Sequence, residues 1–294
     1  MSRPKPLIGC CLTAGSFMPQ SGDRSAAQQD PVSSLLEGVS GLLDAGYDFA
    51  ELTVGAVVQL SEADFERFVR LLRQRGIVIP VFNSFIPASL KLTGPEAAEP
   101  SAVRAYVELA MQRVRAAGGE VIVFGSGAAR TVPAPYTTEQ GMEQIRQFLV
   151  MCGELAETYG ITIAIEPLNR SESNAINKVA EALELAETLR LPRIRVLADA
   201  YHMHLEEEGQ DIIGAAVSKD MLAHVHYAEF DRSFPKGEAA GGVDIAALLG
   251  RLRDSGYDGR VSAECTSADL PADSAESLVH IKRLMNRIYE SGEQ

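Results

Sequence analysis

The chain has 294 residues, 46% of them hydrophobic, which is enough for one large α/β core without disulfide support. A formal charge of −13 excludes a phosphate-backbone partner, which needs clustered Lys and Arg, and disfavours an anionic membrane surface. No apolar run approaches the ~20 residues that span a bilayer, and the four cysteines (Cys10, Cys11, Cys152 and Cys265) form no CxxC pair, so they read as reduced, mostly buried thiols of a cytoplasmic protein.

Arg3 and Lys5 precede "LIGCCLTAG", which imitates a short signal peptide. A first core strand over residues 7–13 is the better reading, because cleavage would remove one unit from the repeat that follows. Residues 14–30 form a long polar loop, read as a lid. Asp30 and Pro31 then offer an N-cap with proline at the first helical position. A second strand falls at 48–53. The stretch from Ser61 to Gly76 is a helix with a Ser61/Asp64 capping pair and one apolar face of Phe65, Phe68, Val69 and Leu72. Strands follow at 78–84 and 120–125. Thr137 and Gln140 open another helix, striped by Ile145, Phe148, Leu149 and Cys152. The remaining strands are 161–166, 194–199, 222–228 and 260–265. A last helix after Asp273 aligns Leu278, Ile281, Met285 and Ile288.

Each strand is rich in Val, Ile, Leu or Ala, as strands buried on both faces are. Eight strand-then-helix units with no linker predict an α/β protein whose residues 1–294 form a single (β/α)8 TIM barrel. The rival, an open doubly wound sheet, expects a glycine-rich first turn. None is present, and the GxG at Gly125–Gly127 lacks the helix entry and acidic partner of a dinucleotide site.

In such a barrel, chemistry sits where strands end. Strand 5 ends in Glu166, strand 6 in Asp199 and strand 8 in Glu264, while strand 7 carries His224 and His226. One acid at a strand end is ordinarily a helix cap, and one histidine is ordinarily structural. Three carboxylates at one mouth, however, repel one another unless a cation neutralises them. Glu166, Asp199, His226 and Glu264 are therefore predicted to hold one divalent ion. Three oxygens and one imidazole suit octahedral Mn²⁺, with Co²⁺ or Mg²⁺ as alternatives. The HxH pair could instead serve a zinc hydrolase, but it lies late in the chain. His226, nearer the strand end, is the expected ligand, with His224 deeper in the core.

"IEPLNRSES", "ADAYHMHLEEEG", "HVHYAEFDR" and "GYDGRVSAE" resemble the D-tagatose/D-psicose 3-epimerases of the xylose-isomerase-like superfamily. The similarity extends upstream through "AELTVGAVVQLSE" and "FNSFIPASLKLTGP". It implies the same four metal ligands, with Glu166 and Glu264 also the acid–base pair. It further implies that Glu172, His202 and Arg232 contact a free sugar, and that the chain forms a homodimer or homotetramer. Arg232 alone could be a surface ion pair, and Glu172 a solvated acid. His204 and Glu206–Glu208 read as a solvated loop or helix start. A ketose 3-epimerase removes a proton beside a ketone, passes through a cis-enediolate and returns a proton to the opposite face, which calls for two carboxylates flanking the sugar. An inosose dehydratase or hydroxypyruvate isomerase would use similar chemistry, and a non-catalytic sugar- or metal-binding barrel would need no pair of bases. A repair endonuclease of this fold expects early histidines, and none precedes His202. A sugar phosphate lacks a basic partner in "CTSADLPADSAES"; Lys236 is the nearest cation. The sequence departs from the resemblance in "HYAEFDR" and in the longer "SFPKGEAAGGVD", both beside the site.

Overall fold

The computed structural model describes residues 4–12, 30–237 and 242–290. The loop read as a lid lies outside them except for Asp30, as do residues 238–241 of the segment after Arg232. Eight parallel strands close into a barrel in chain order: β1 (Leu7–Leu12), β2 (Phe49–Thr53), β3 (Val81–Asn83), β4 (Val121–Phe124), β5 (Thr162–Ile165), β6 (Ile194–Asp199), β7 (Leu222–Tyr227) and β8 (Arg260–Ala263). β8 closes the ring on β1, pairing Arg260 with Leu7. The helices are α1 (Pro31–Ala45), α2 (Val54–Val58), α3 (Glu62–Arg75), α4 (Pro100–Ala116), α5 (Gly127–Arg130), α6 (Thr138–Tyr159), α7 (Val179–Leu189), α8 (Ala200–Leu205), α9 (Asp211–Ser218), α10 (Ile245–Ser255) and α11 (Leu270–Glu290).

Local chemistry accounts for many of the ends. Asp30 accepts from the Ser33 amide ahead of Pro31, Ser61 accepts from the Asp64 amide, and Thr137 with Gln140 completes a reciprocal capping box. Gly46 and Gly76 close α1 and α3 at φ +101° and +66°, where a side chain would be strained. Two expectations change. β3 is shorter than 78–84, because Pro80 has no N–H for the ladder and Ser84 turns out of it at φ +51°. The last helix starts at Leu270, ahead of Asp273.

The core has two parts. The larger lies between strands and helices, and Cys10 joins it from the outer face of β1. The smaller fills the barrel interior with Phe49, Val81, Val121, Val123, Ala164 and Leu197. Gly9 makes that filling possible, since a Cβ there would lie 2.3 Å from the Phe49 ring. Towards the strand C-termini the interior turns polar, with Glu51, Asn83, Asp199, His224, His226 and Ser262 all buried.

Candidate active site at the barrel mouth

One irregularity sets the register of the site. From Val196 to Leu197, β6 advances one residue while its partner β7 advances from Leu222 to His224. Ala223 is thus the extra residue of a β-bulge, and Asp199 pairs with His226. Unbroken pairing would have set Asp199 against Val225, whose side chain joins the outer core.

The four predicted ligands converge. One donor atom from each of Glu166, Asp199, His226 and Glu264 lies within 4.8 Å of every other. His226 Nδ1 is 3.1 Å from Glu166 Oε1 and 3.6 Å from Glu264 Oε2. Asp199 Oδ1 caps α8 by accepting from the Tyr201 amide at 2.9 Å, while its buried Oδ2 accepts no hydrogen bond among the described residues. An unsatisfied carboxylate oxygen among two further carboxylates and an imidazole is a donor set that fits a divalent cation. The electrostatics agree. Burial pushes Glu264 up, helped by Glu166 and Asp199, against the pull of His226 and Arg232. Burial also opposes ionisation of Glu166, but the His226 hydrogen bond and charge hold it below the usual range. The surroundings thus push the proton affinities of Glu166 and Glu264 in opposite directions.

The substrate-contact candidates surround this cluster. Arg232 Nη1 lies 2.5 Å from Glu264 Oε2 and 3.7 Å from Asp199, its Nη2 lies 3.6 Å from Glu172, and its guanidinium stacks 4.4 Å over Tyr201. Burial opposes its charge, yet Glu264, Asp199 and Glu166 outweigh that and raise its pKa. It is no surface ion pair. Its backbone holds φ +66°, anchored by the Thr266 amide on its carbonyl at 2.7 Å. His202 is buried, and its Nδ1 accepts from the Asn169 amide at 3.1 Å. Neutral His202 therefore carries its proton on Nε2, which meets Arg232 Nη2 at 3.0 Å. Two donors converge there, an arrangement that calls for an oxygen acceptor. Glu172 is exposed, and its Oε1 accepts from Asn169 Nδ2 at 2.9 Å.

Of the remaining residues, two differ from their sequence reading and His224 lies deeper in the core as expected. Glu206 and Glu208 are not a solvated run. Glu206 accepts from the Arg170 amide and pairs with its guanidinium, and Glu208 accepts from the amides of Val179 and Ala180 at the start of α7. His224 is buried below the cluster with Glu51 and Ser262, away from the four converging ligands. Lys236 is engaged by Asp273 and Glu276. The GxG at Gly125–Gly127 has a different use: a Cβ on Gly125 would lie 2.1 Å from Glu166 Oε2, and one on Gly127 would lie 2.9 Å from the Glu172 carbonyl.

Sequence reading missed four supports. Glu51, on β2, is buried with its Oε1 3.0 Å from His226 Nε2 and its Oε2 2.9 Å from His224 Nε2. Burial works against the Glu51 charge, but the two histidines hold its pKa below the usual range. Asn83, ending β3, reaches Glu264 Oε1 at 3.4 Å. Asn169 holds both His202 and Glu172. Arg130, buried, donates to the carbonyls of Phe124 at 2.9 Å and Glu166 at 2.7 Å. An acid inside the apolar run "FAELT" and an asparagine closing "VF" were visible signals in the early strands.

Comparison with known proteins follows the geometry. The model of a family described as xylose isomerase-like TIM barrel matches residues 40–284. A 3-dehydro-D-guloside 4-epimerase of Escherichia coli (strain K12) is 29% identical over 166 residues, 54% of this chain and 61% of that protein, so the chain spans about three fifths of that relative's length. An L-ribulose 3-epimerase of Methylomonas sp. (strain DH-1) is 27% identical over 265 residues, 87% of this chain and 85% of the relative. The crystal structure of a D-allulose 3-epimerase from Methylomonas sp. shares the fold at TM-score 0.77 and 20% identity, covering 96% of this chain and 99% of the other. Among the described residues no helix is long and apolar enough to cross a membrane.

Proposed function

This chain belongs to the xylose isomerase-like TIM barrel family, and from that premise we propose that it is a metal-dependent ketose 3-epimerase acting on a free ketohexose through a cis-enediolate. The carrying observation is that Glu166 and Glu264 come from different strands and approach the same imidazole nitrogen, at 3.1 and 3.6 Å. Relatives named as L-ribulose and D-psicose 3-epimerases support the substrate class.

Glu166, Asp199, His226 and Glu264 would hold the ion, Mn²⁺ by preference. When bound, such a cation supplies Lewis-acid stabilisation of the negative charge that develops on the substrate's oxygens. His202 Nε2–H and the Arg232 guanidinium, 3.0 Å apart with Asp199 Oδ2 the nearby carboxylate at 3.6 and 3.7 Å, donate to the carbonyl end of the sugar. Glu172, held by Asn169, receives a substrate hydroxyl. With the sugar between the two carboxylates, one of Glu166 and Glu264 removes the C3 proton. The electron pair of that C–H bond moves into the enediolate. The other carboxylic acid then delivers its proton to the opposite face of C3, inverting it. The configuration at C3 decides which carboxylate begins as the base.

The test is Mn²⁺-loaded protein with D-tagatose, D-fructose and D-psicose in D₂O. Deuterium at C3 with formation of the epimer is expected; no exchange with any of the three overturns the reading. The resemblance to the 3-dehydro-D-guloside 4-epimerase favours a second reading. The same carboxylate pair could invert C4 beside a C3 ketone, and a 3-keto-glycoside in the panel tests it.

A further inference from the structure

We propose that Glu51 is a positioning residue that sets which nitrogen of His226 faces the cation, an inference that rests on the metal-dependent reading above. Glu51 is fully buried on β2, two residues beyond Phe49 of the apolar interior layer. A leucine would fill that place without the cost of desolvating a carboxylate. Its two oxygens instead divide between two imidazoles, with Oε1 3.0 Å from His226 Nε2 and Oε2 2.9 Å from His224 Nε2.

A carboxylate only accepts, so each of these nitrogens must present an N–H. His226 Nδ1 also faces carboxylates, Glu166 at 3.1 Å and Glu264 at 3.6 Å, but these are the groups that would hold the ion; with a cation among them Nδ1 would turn its lone pair to it, and the one remaining proton would stay on Nε2 against Glu51. The other neighbour of Nε2 is the buried Cys11 Sγ at 4.0 Å, too long for it to replace Glu51. His224 matters by sharing the same carboxylate. It fixes the second oxygen, so Glu51 cannot rotate away from His226. Ser262 Oγ, 3.1 Å from His224 Nε2, holds that second imidazole in turn. A ligating imidazole oriented by a carboxylate on its far nitrogen keeps both its tautomer and its direction.

The experiment uses the full chain labelled with ¹⁵N-histidine. Its five histidines keep the nitrogen spectrum simple, and the His226 signals are identified by their loss in His226→Gln. In the Mg²⁺-loaded wild type, the His226 proton is expected on Nε2; a proton on Nδ1 overturns the proposal. In Glu51→Gln, the amide offers one acceptor and one donor to two N–H groups, so one imidazole must change tautomer or turn. Its Mn²⁺ dissociation constant by calorimetry is expected to rise about 10- to 100-fold, with Glu51→Asp recovering part of the loss. Wild-type affinity in Glu51→Gln overturns this inference alone. A wild type without saturable Mn²⁺ binding overturns it together with the metal-dependent reading. If Glu51→Gln fails to fold, the wild-type spectrum decides.

Discussion

The two halves of the barrel bring different things to one mouth. From β5 to β8, the strand ends and their loops present the side chains that converge at the mouth: Glu166, Glu172, Asp199, His202, His226, Arg232 and Glu264. From β1 to β4, the strands and the segment after β4 supply groups that support them. Glu51 holds His226, Asn83 meets Glu264, Gly125 leaves room for Glu166, and Arg130 grips the Glu166 carbonyl. A closed barrel makes this possible, because strands distant in the chain face one another across the interior. The lesson is that a half without apparent chemistry still sets the geometry of the half that has it.

Substitutions can break that division. The largest effect is expected in the second half. Glu166→Gln and Glu264→Gln each remove a carboxylate proposed to transfer a proton and should lower turnover by about 10²- to 10⁴-fold, the range of general acid–base contributions. Circular dichroism melts of both should stay near the wild type. Activity retained in both would remove these residues from the proton-transfer role.

The sharper test lies in the first half. Gly125→Ala inserts a methyl group 2.1 Å from Glu166 Oε2, so the carboxylate must move. A displacement of that order costs about 10²-fold in turnover when the reacting groups must align. If Gly125→Ala is neutral in steady-state kinetics, the first half does not shape the site. Asn83→Ala removes a long contact to Glu264 and should cost at most about tenfold in kcat/KM. A larger loss would move Asn83 from support to direct contact with substrate.

The opposite face supplies the smallest effect. Arg195 and Asp220 form a pair at the N-terminal end of the strands, with Asp220 exposed. Arg195→Ala is expected to shift unfolding free energy in urea by no more than about 0.5 kcal/mol and to leave turnover unchanged. A loss of activity there would mean that the barrel's two ends are coupled.

Much of this was legible because it is local. The alternation of apolar runs and amphipathic stretches marked eight units, and caps such as Thr137/Gln140 marked helix starts. Reading the ends of strands 5 to 8 picked out Glu166, Asp199, His226 and Glu264, whose donor atoms the fold brings together. The same reading of strand 3 would have reached Asn83, whereas Glu51 lies inside strand 2, marked only as an acid in an apolar run. Glu206 and Glu208 were misread because an acid that pairs with a distant loop or caps a distant helix looks, in one dimension, like an acid in solvent.

By itself the sequence determined the element types, their order, and which residues stand at the strand ends, since period, capping and proline placement act over a few residues. Only the tertiary structure decided which of those residues stand level with one another. The bulge at Ala223 pairs Asp199 with His226 in place of Val225. Glu51 reaches His226 across 175 residues of chain. Register and cross-barrel contact are settled by ring closure and interior packing, and those forces act between segments that no local pattern connects.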